Sequence, residues 1–382
     1  MVTRPRAPET IAERVAVYEA VGRNQKAAAE ALGIARSTLQ ETLREAGILG
    51  GVKAGPERDG GGAYIVKGVS TYFDGDGNPR GQWVKTKVDD ELRAKMQLAA
   101  AQAMAADLPR LKPVHFAGSS IAALCNLYTF TDYHLNALCW HKEGGANWDL
   151  KISEATGEAA IMAMLEQSPR AKKAIVNIQG DMLHTDGLTP VTPGHGHVLD
   201  ADGRFSKAAA VSVRLIRRMV ALALERHEEV HLIICEGNHD ESSAVWLRVM
   251  FAALYELEPR VTVNDSELPY YVHQHGKIML AFHHGHKVKN EALPMLFAAQ
   301  FPKMWGDTFK RYAHCGHRHH ADEKEYSGML VTQHPTLAAR DAYAARGGWI
   351  SERAAQSITY HEKFGQVART IVCPEMLEKS AA

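Results

Sequence analysis

The sequence predicts an α/β domain preceded by a small all-helical unit and a β-hairpin, and three observations carry that expectation. Five apolar, β-like runs, Leu124 to Phe130, Ala174 to Gln179, His231 to Cys235, Ile278 to Phe282 and Tyr312 to Cys315, each end in a short polar cluster. Helical patterns, notably Ser206 to Arg226 and Ser243 to Leu257, lie among them. Strands alternating with helices imply a sheet with helices packed outside it. Far upstream, Thr10 to Gly47 has its apolar residues at helical spacing. The expected divisions are 1–47 for the helical unit, 48–62 for a linker, 63–110 for the hairpin and a connecting helix, and 111–382 for the main domain.

At 382 residues, with 46% hydrophobic and 23% charged residues, the chain can bury a sizeable core. A formal net charge of zero gives no global sign of affinity for nucleic acid or membrane, so any such partner must be argued locally. Cys125, Cys139, Cys235, Cys315 and Cys373 are odd in number and show no CxxC, the usage of free thiols in a reducing compartment. No apolar stretch nears the roughly 20 residues that span a bilayer. Met1 to Glu9 is polar, unlike a signal peptide, so the expected location is cytoplasmic.

In the first unit Ile11, Val15 and Tyr18 line one helix face, and Asn24 is a good N-cap for a helix from Gln25 to Leu32. Gly33 allows a sharp turn, and Ser37 opens a third helix ending near Ala46 and Gly47. The run Ala28 to Leu39 resembles the helix-turn-helix of DNA-binding regulators. On that reading Arg36, Ser37, Thr38, Gln40 and Arg44 lie on or near the exposed face of the recognition helix, where they can reach phosphates or base edges. Residues 1–56 hold eight Lys or Arg against six Glu, a weak electrostatic footprint, so three short helices serving assembly are the competing reading. Gly47 to Gly62 reads as a Gly-rich linker. Tyr64 to Phe73 and Arg80 to Lys87 read as a hairpin around Asp74 to Asn78, and Asp89 to Ala106 as a helix.

The chemistry sits in the five polar clusters. They are Asp132-Tyr133-His134, Gly180-Asp181-Met182-Leu183-His184, Gly237-Asn238-His239-Asp240, His283-His284-Gly285-His286 and Gly316-His317-Arg318-His319. Ligands at the carboxyl ends of successive strands converge on one sheet edge. Oxygen and imidazole donors without thiolate suit Mn, Fe or Zn rather than a structural zinc knot. His195 and His197 imitate a motif but follow no strand, and are expected on a surface loop.

In order and spacing the clusters resemble the signature of the calcineurin-like metallophosphoesterase superfamily: D-x-H, GD-x-x-D/N, GNH-D/E, a His followed by Gly, and GH-x-H. The second departs from it, since His184 stands where Asp or Asn is usual. The resemblance covers roughly Leu111 to Pro374 and implies two sheets packed face to face and flanked by helices. It implies two divalent metal ions, manganese first, with Fe, Zn or Mg as alternatives. One would be held by Asp132, His134, Asp181 and His319, the other by Asp181, Asn238, His284 and His317. His239 would contact the phosphate and Asp240 would orient it. His184 and His286 are possible substrate contacts, and His286 and His283 compete with His284 for the fourth position.

Paired cations can hold a bridging hydroxide and clamp phosphoryl oxygens. The expected function is therefore a dinuclear phosphoester hydrolase, and the helical unit directs it to DNA as a phosphodiesterase. The layout also resembles phosphoesterases of phages and prophages. The alternatives are a hydrolase of small phosphoesters or phosphoproteins whose helical unit serves assembly, and a DNA-binding regulator with an inert metal domain.

Overall fold

The computed structural model describes residues 11–48, 64–73, 79–88, 95, 116 and 118–377. The chain divides into two compact units, Met1–Asp90 and Glu91–Ala382. The expected linker is almost wholly outside the described residues, as are the hairpin turn at 74–78 and all but Lys95 of the helix expected from Asp89 to Ala106.

The described residues of the first unit include the helices α1 (Ile11–Ala20), α2 (Gln25–Leu32) and α3 (Arg36–Glu45). The side chain of Asn24 accepts from the backbone N–H groups of Lys26 and Ala27, so the first turn of α2 is capped as expected. Gly33 ends α2 at φ 64°, a left-handed conformation that favours glycine. Helix α3 starts one residue before Ser37, after Ala35, which provides no side-chain cap. Tyr18, Ala28, Ala29, Leu32, Leu39 and Leu43 form the shared core. Ile11 stays 45% exposed and takes no part in it. Strands β1 (Tyr64–Phe73) and β2 (Pro79–Val88) pair antiparallel.

The second unit holds two sheets. The six-stranded sheet has the order β13-β12-β3-β4-β5-β6. Its strands are β3 (Ile121–Phe130), β4 (Ala171–Ile178), β5 (Glu229–Ile234), β6 (Val261–Val263), β12 (Ala355–His361) and β13 (Gly365–Val372). The five-stranded sheet has the order β10-β11-β9-β8-β7. It is built from β7 (Tyr271–His275), β8 (Ile278–Phe282), β9 (Lys310–Cys315), β10 (Asp322–Tyr326) and β11 (Met329–Gln333). Parallel pairing joins β3, β4 and β5 in one sheet and β8 and β9 in the other.

The two-residue period of a strand explains the layers. Cys125 and Leu127 of β3, Ile175, Ile233, Leu280 and Phe282 face the space between the sheets and form its core. Their neighbours Tyr128, Phe130, Val176 and Leu232 join a second core with α4 (Leu150–Gln167), α5 (Phe205–Arg226) and α6 (Glu241–Leu254). On the far side Met279, Ala281, Ala313 and Cys315 pack with Leu293 and Phe297. Strands buried on both faces carry near-continuous apolar runs, which is why these strands stand out in the sequence. Two sheets flanked by helices, α/β throughout, are thus the architecture of this unit. No helix among the described residues is long and apolar enough to cross a membrane.

Candidate metal centre

The clusters follow strands that are parallel within each sheet, β3, β4 and β5 in one and β8 and β9 in the other, and their loops meet in one place. The loops turn sharply. Of six non-glycine residues with positive φ among those described, five lie here: Asp132 (48°), His134 (43°), Asp181 (52°), His317 (69°) and His319 (56°). Such backbone is costly for a residue with a Cβ and persists only where surrounding contacts enforce it. Those contacts are visible. Asp132 N–H donates to Gly180 O, His134 N–H to Asp181 O, and Gly316 N–H to His284 O.

Among the described residues the loops bring three groups of ligating atoms together, Asp132 with His134 and His319, Asp181 with His284 and His317, and His134 with His184 and His239. His319 Nε2 lies 3.2 Å from Asp132 Oδ1, and His134 Nε2 lies 3.3 Å from His319 Nε2. His284 Nε2 joins the first two groups, 3.2 Å from Asp181 Oδ2 and 3.8 Å from Asp132 Oδ1. Of the three competing histidines, His284 is thus the one that reaches both carboxylates. His283 is turned to Pro269 O, and His286 lies 3.8 Å from Glu241.

The outer atoms of Asp132, Asp181 and His284 are already engaged. Asp132 Oδ2 accepts from Thr131 Oγ1 and from His317 N–H, Asp181 Oδ1 accepts from His239 N–H, and His284 Nδ1 donates to Gln179 O. The inner atoms Asp132 Oδ1, His284 Nε2 and Asn238 Oδ1 are buried and make no well-directed hydrogen bond, the first two facing His319 and Asp181 at 3.2 Å. Unpaired buried donors and acceptors of this kind are costly. Clustered oxygen and imidazole atoms, oriented from outside and unsatisfied inside, fit divalent cations. Glycines leave room for the carboxylates: a Cβ at Gly237 would collide with Asp181, and one at Gly316 with Thr131 and Asp132.

The charges respond to this crowding. Burial opposes ionisation of Asp132 and Asp181, yet neighbouring imidazoles hold both carboxyls below their ordinary value. Burial likewise disfavours a charged His284, but Asp181 and Asp132 outweigh it and raise its pKa to about 10. The proton so held stands where a cation would bind, so metal uptake would release it. Burial pushes His184 down to about 3, helped by His239, which keeps His184 neutral.

His184 meets the first group directly. Its Nδ1 is 3.1 Å from His134 Nδ1, and its ring stacks on His239 at 5.2 Å. Its backbone carbonyl accepts from His239 Nδ1 at 2.9 Å. The expected pairing of Asp240 with His239 is therefore a correction: a main-chain oxygen orients His239. Asp240 instead accepts from the N–H groups of Asp181, Leu183 and Gly237, tying the second loop to the third. Burial, then Asp181 and Asp186, raise its carboxyl to about 8.

Spacing alone did not single out three residues that hold this framework. Asp186 accepts from Ser242 and Ser243 N–H at the start of α6, where an anion complements the helix dipole. Trp148 Nε1 donates to His134 O, and Ser351 Oγ to His319 O. None of the three follows a strand or shares a motif, so no local signal marks them. His195 and His197 lie in an exposed turn outside every ligating group found among the described residues. In the other unit Arg36, Ser37, Thr38 and Arg44 are exposed on α3, whereas Gln40 is half-buried and bonded to Gln25.

No family model and no curated protein matches the chain. Solved structures give distant likenesses. Zinc-complexed Vps29 from Entamoeba histolytica is 13% identical, with 65% of this chain and 98% of that one covered and a TM-score of 0.28. For an archaeal phosphodiesterase the values are 10%, 65%, 99% and 0.33. For a putative 5′-nucleotidase from Staphylococcus aureus they are 12%, 65%, 54% and 0.30. At such identities and scores the likeness assigns no activity to this chain.

Proposed function

We propose that this chain is a metal-dependent phosphoester hydrolase, and more narrowly a phosphodiesterase acting on DNA. The observation that carries the reading is the pair of groups Asp132–His134–His319 and Asp181–His284–His317, with the buried inner atoms of Asp132, His284 and Asn238 unsatisfied. Asp132, His134, Asp181 and His319 would hold one cation, and Asp181, Asn238, His284 and His317 a second, manganese being the first candidate. When bound, such a pair supplies a nucleophile at neutral pH and neutralises charge on phosphoryl oxygens.

The protein's own groups do the rest. His239 has Nδ1 fixed by the carbonyl of His184, which leaves Nε2 to contact a phosphate oxygen and to give or take a proton. His184, neutral and stacked on His239, limits how far that ring can swing. The imidazoles of His134, His319, His284 and His317 crowd the two carboxylates, a balance that suits an anionic substrate once the cations are present.

DNA as the substrate is supported by α3, whose Arg36, Ser37, Thr38 and Arg44 are exposed and chemically suited to phosphates and base edges. The test offers metal-depleted protein Mn²⁺, Mg²⁺ or Zn²⁺ separately, with a diester reporter, a monoester reporter, and linear, circular and single-stranded DNA. Diester and DNA cleavage is expected. Cleavage of the monoester alone would favour a phosphatase. Deleting residues 1–56 is expected to weaken DNA binding and to flatten its salt dependence, because fewer counterions are released. Equal affinity and equal salt slope would leave the helical unit an assembly module.

A further inference from the structure

Beside the metal centre lies a group of aromatic side chains that the hydrolytic chemistry does not use. Trp140 is 51% exposed, Trp349 57% and Tyr343 73%. Large rings are usually covered, so three left open on adjoining segments call for an occupant.

The rings are held rather than loose. Trp349 N–H donates to Ala344 O, and its carbonyl accepts from Arg340 Nη1. The ring lies against Gly347, where a Cβ would come within 3.1 Å of it, and meets Tyr343 nearly edge-on at 5.2 Å. Two residues on, Ser351 Oγ donates to His319 O at 2.7 Å. Two residues span at most about 7 Å, and the Ser351 side chain with its hydrogen bond adds about 5 Å, so the Trp349 backbone lies within about 12 Å of the last metal loop. Trp140 belongs to a neighbouring segment, joined to this one by Cys139 Sγ on Ala339 O and by Gly144 packed on the carbonyl of Arg340. That segment is tied in turn to the first metal loop through Trp148 and His134 O. Lys142 stands over the Trp140 ring at 5.2 Å, and Arg346 is exposed beside Trp349 in the sequence.

We propose that Trp349, Tyr343 and Trp140 form a stacking platform for unpaired bases, so that the strand delivered to the metal centre is single-stranded DNA. Rigid rings with cations beside them, next to a phosphoester site, are the means by which single strands are held without sequence preference. A paired duplex hides its base faces and cannot use them. The proposal rests on the phosphodiesterase reading for its location, but base stacking is measurable without turnover.

The test therefore measures binding in the full chain carrying Asp181→Asn, by anisotropy of a labelled oligo(dT) and of an abasic oligonucleotide of equal length. The oligo(dT) is expected to bind about tenfold more tightly than the abasic strand. Trp349→Ala in the same background is expected to erase that preference, and Trp349→Phe to restore most of it. In the active protein the kcat/KM for the oligonucleotide, divided by that for a diester reporter, should fall about tenfold in Trp349→Ala. No preference for bases in the parent, or a preference that survives both Trp349→Ala and Tyr343→Ala, overturns the platform while leaving diester hydrolysis to stand or fall by its own assay. Trp349→Ala that dissociates an oligomer in sedimentation without touching oligonucleotide binding also overturns it, in favour of a protein contact. Base preference lost in Trp349→Ala, with no diester cleaved under any metal, would support the platform and refute the hydrolase.

Discussion

Strands β3, β4 and β5 carry buried polar clusters toward both of their ends, and the two differ in kind. Toward the amino end, Tyr128 OH donates to His227 Nε2, and His227 Nδ1 donates to Ala171 O. Asn126 donates to Tyr128 OH and to Pro169 O and accepts from Thr359, while Ser168 bonds Ser357. These polar atoms have partners, and the backbone is ordinary. At the carboxyl end Asp, Asn and His make up the clusters, inner atoms lack well-directed hydrogen bonds, and Asp132, His134 and Asp181 take positive φ. A buried histidine is therefore no mark of a site. Unsatisfied atoms on enforced backbone are, because neither survives in a stable fold without a compensating role.

Substitutions at the two ends should separate along that line. The largest effect is expected for Asp181→Ala, which removes the carboxylate that the proposed function assigns to both cations: hydrolysis should vanish and bound metal, read by elemental analysis, should fall. Retained metal with retained activity would refute the centre. His239→Ala should keep its metal and lose about 10²- to 10⁴-fold in kcat, since on the proposed reading it removes a proton-transfer group rather than a ligand. Metal loss as complete as in Asp181→Ala would reassign it as a ligand. Gly237→Ala should cost about 10- to 100-fold in metal affinity by pushing Asp181 aside, as disturbed ligand support does elsewhere. Among His283, His284 and His286, alanine at His284 should release the most metal, a ranking that titration with a chelator would check.

At the amino end His227→Phe should leave metal content and turnover alone and cost about 1–3 kcal/mol of stability, because Tyr128 OH loses its acceptor. It should also change the acid response. Burial lowers the His227 pKa from 6.5 to about 4. The unfolded chain then takes up the proton first, so this contribution is intact above about pH 6.5 and drains away as the pH falls through about 4. Denaturant midpoints of the wild type should decline over that window, and His227→Phe should decline less steeply. An unchanged slope would show that other buried histidines, such as His231 and His273, dominate it.

Much of this was legible in the sequence, for stated reasons. The strands ahead of the clusters are buried on both faces, and Asn24 and Gly33 are local signals that act over a few residues. The polar edge strand β10, Asp322–Tyr326, escaped because DEKEY carries no apolar alternation. The role of Asp240 is not legible in the sequence because its partners are main-chain N–H groups from a loop far away in sequence, which no spacing encodes. The cap that Asp186 gives α6 and the ties of Trp148 and Ser351 were hidden for the same reason.

The order of strands in the larger sheet also has a consequence for biosynthesis. The strand that delivers Asp132 is flanked on one side by β4, made soon after it, and on the other by β12, made almost last. On a ribosome the early strands must wait with one edge open, and Thr336, whose hydroxyl grips Asp132 O, has yet to emerge. A cell producing this chain is thus expected to load its cations only after release, and a nascent chain stalled before β12 should retain none in a filter-binding assay.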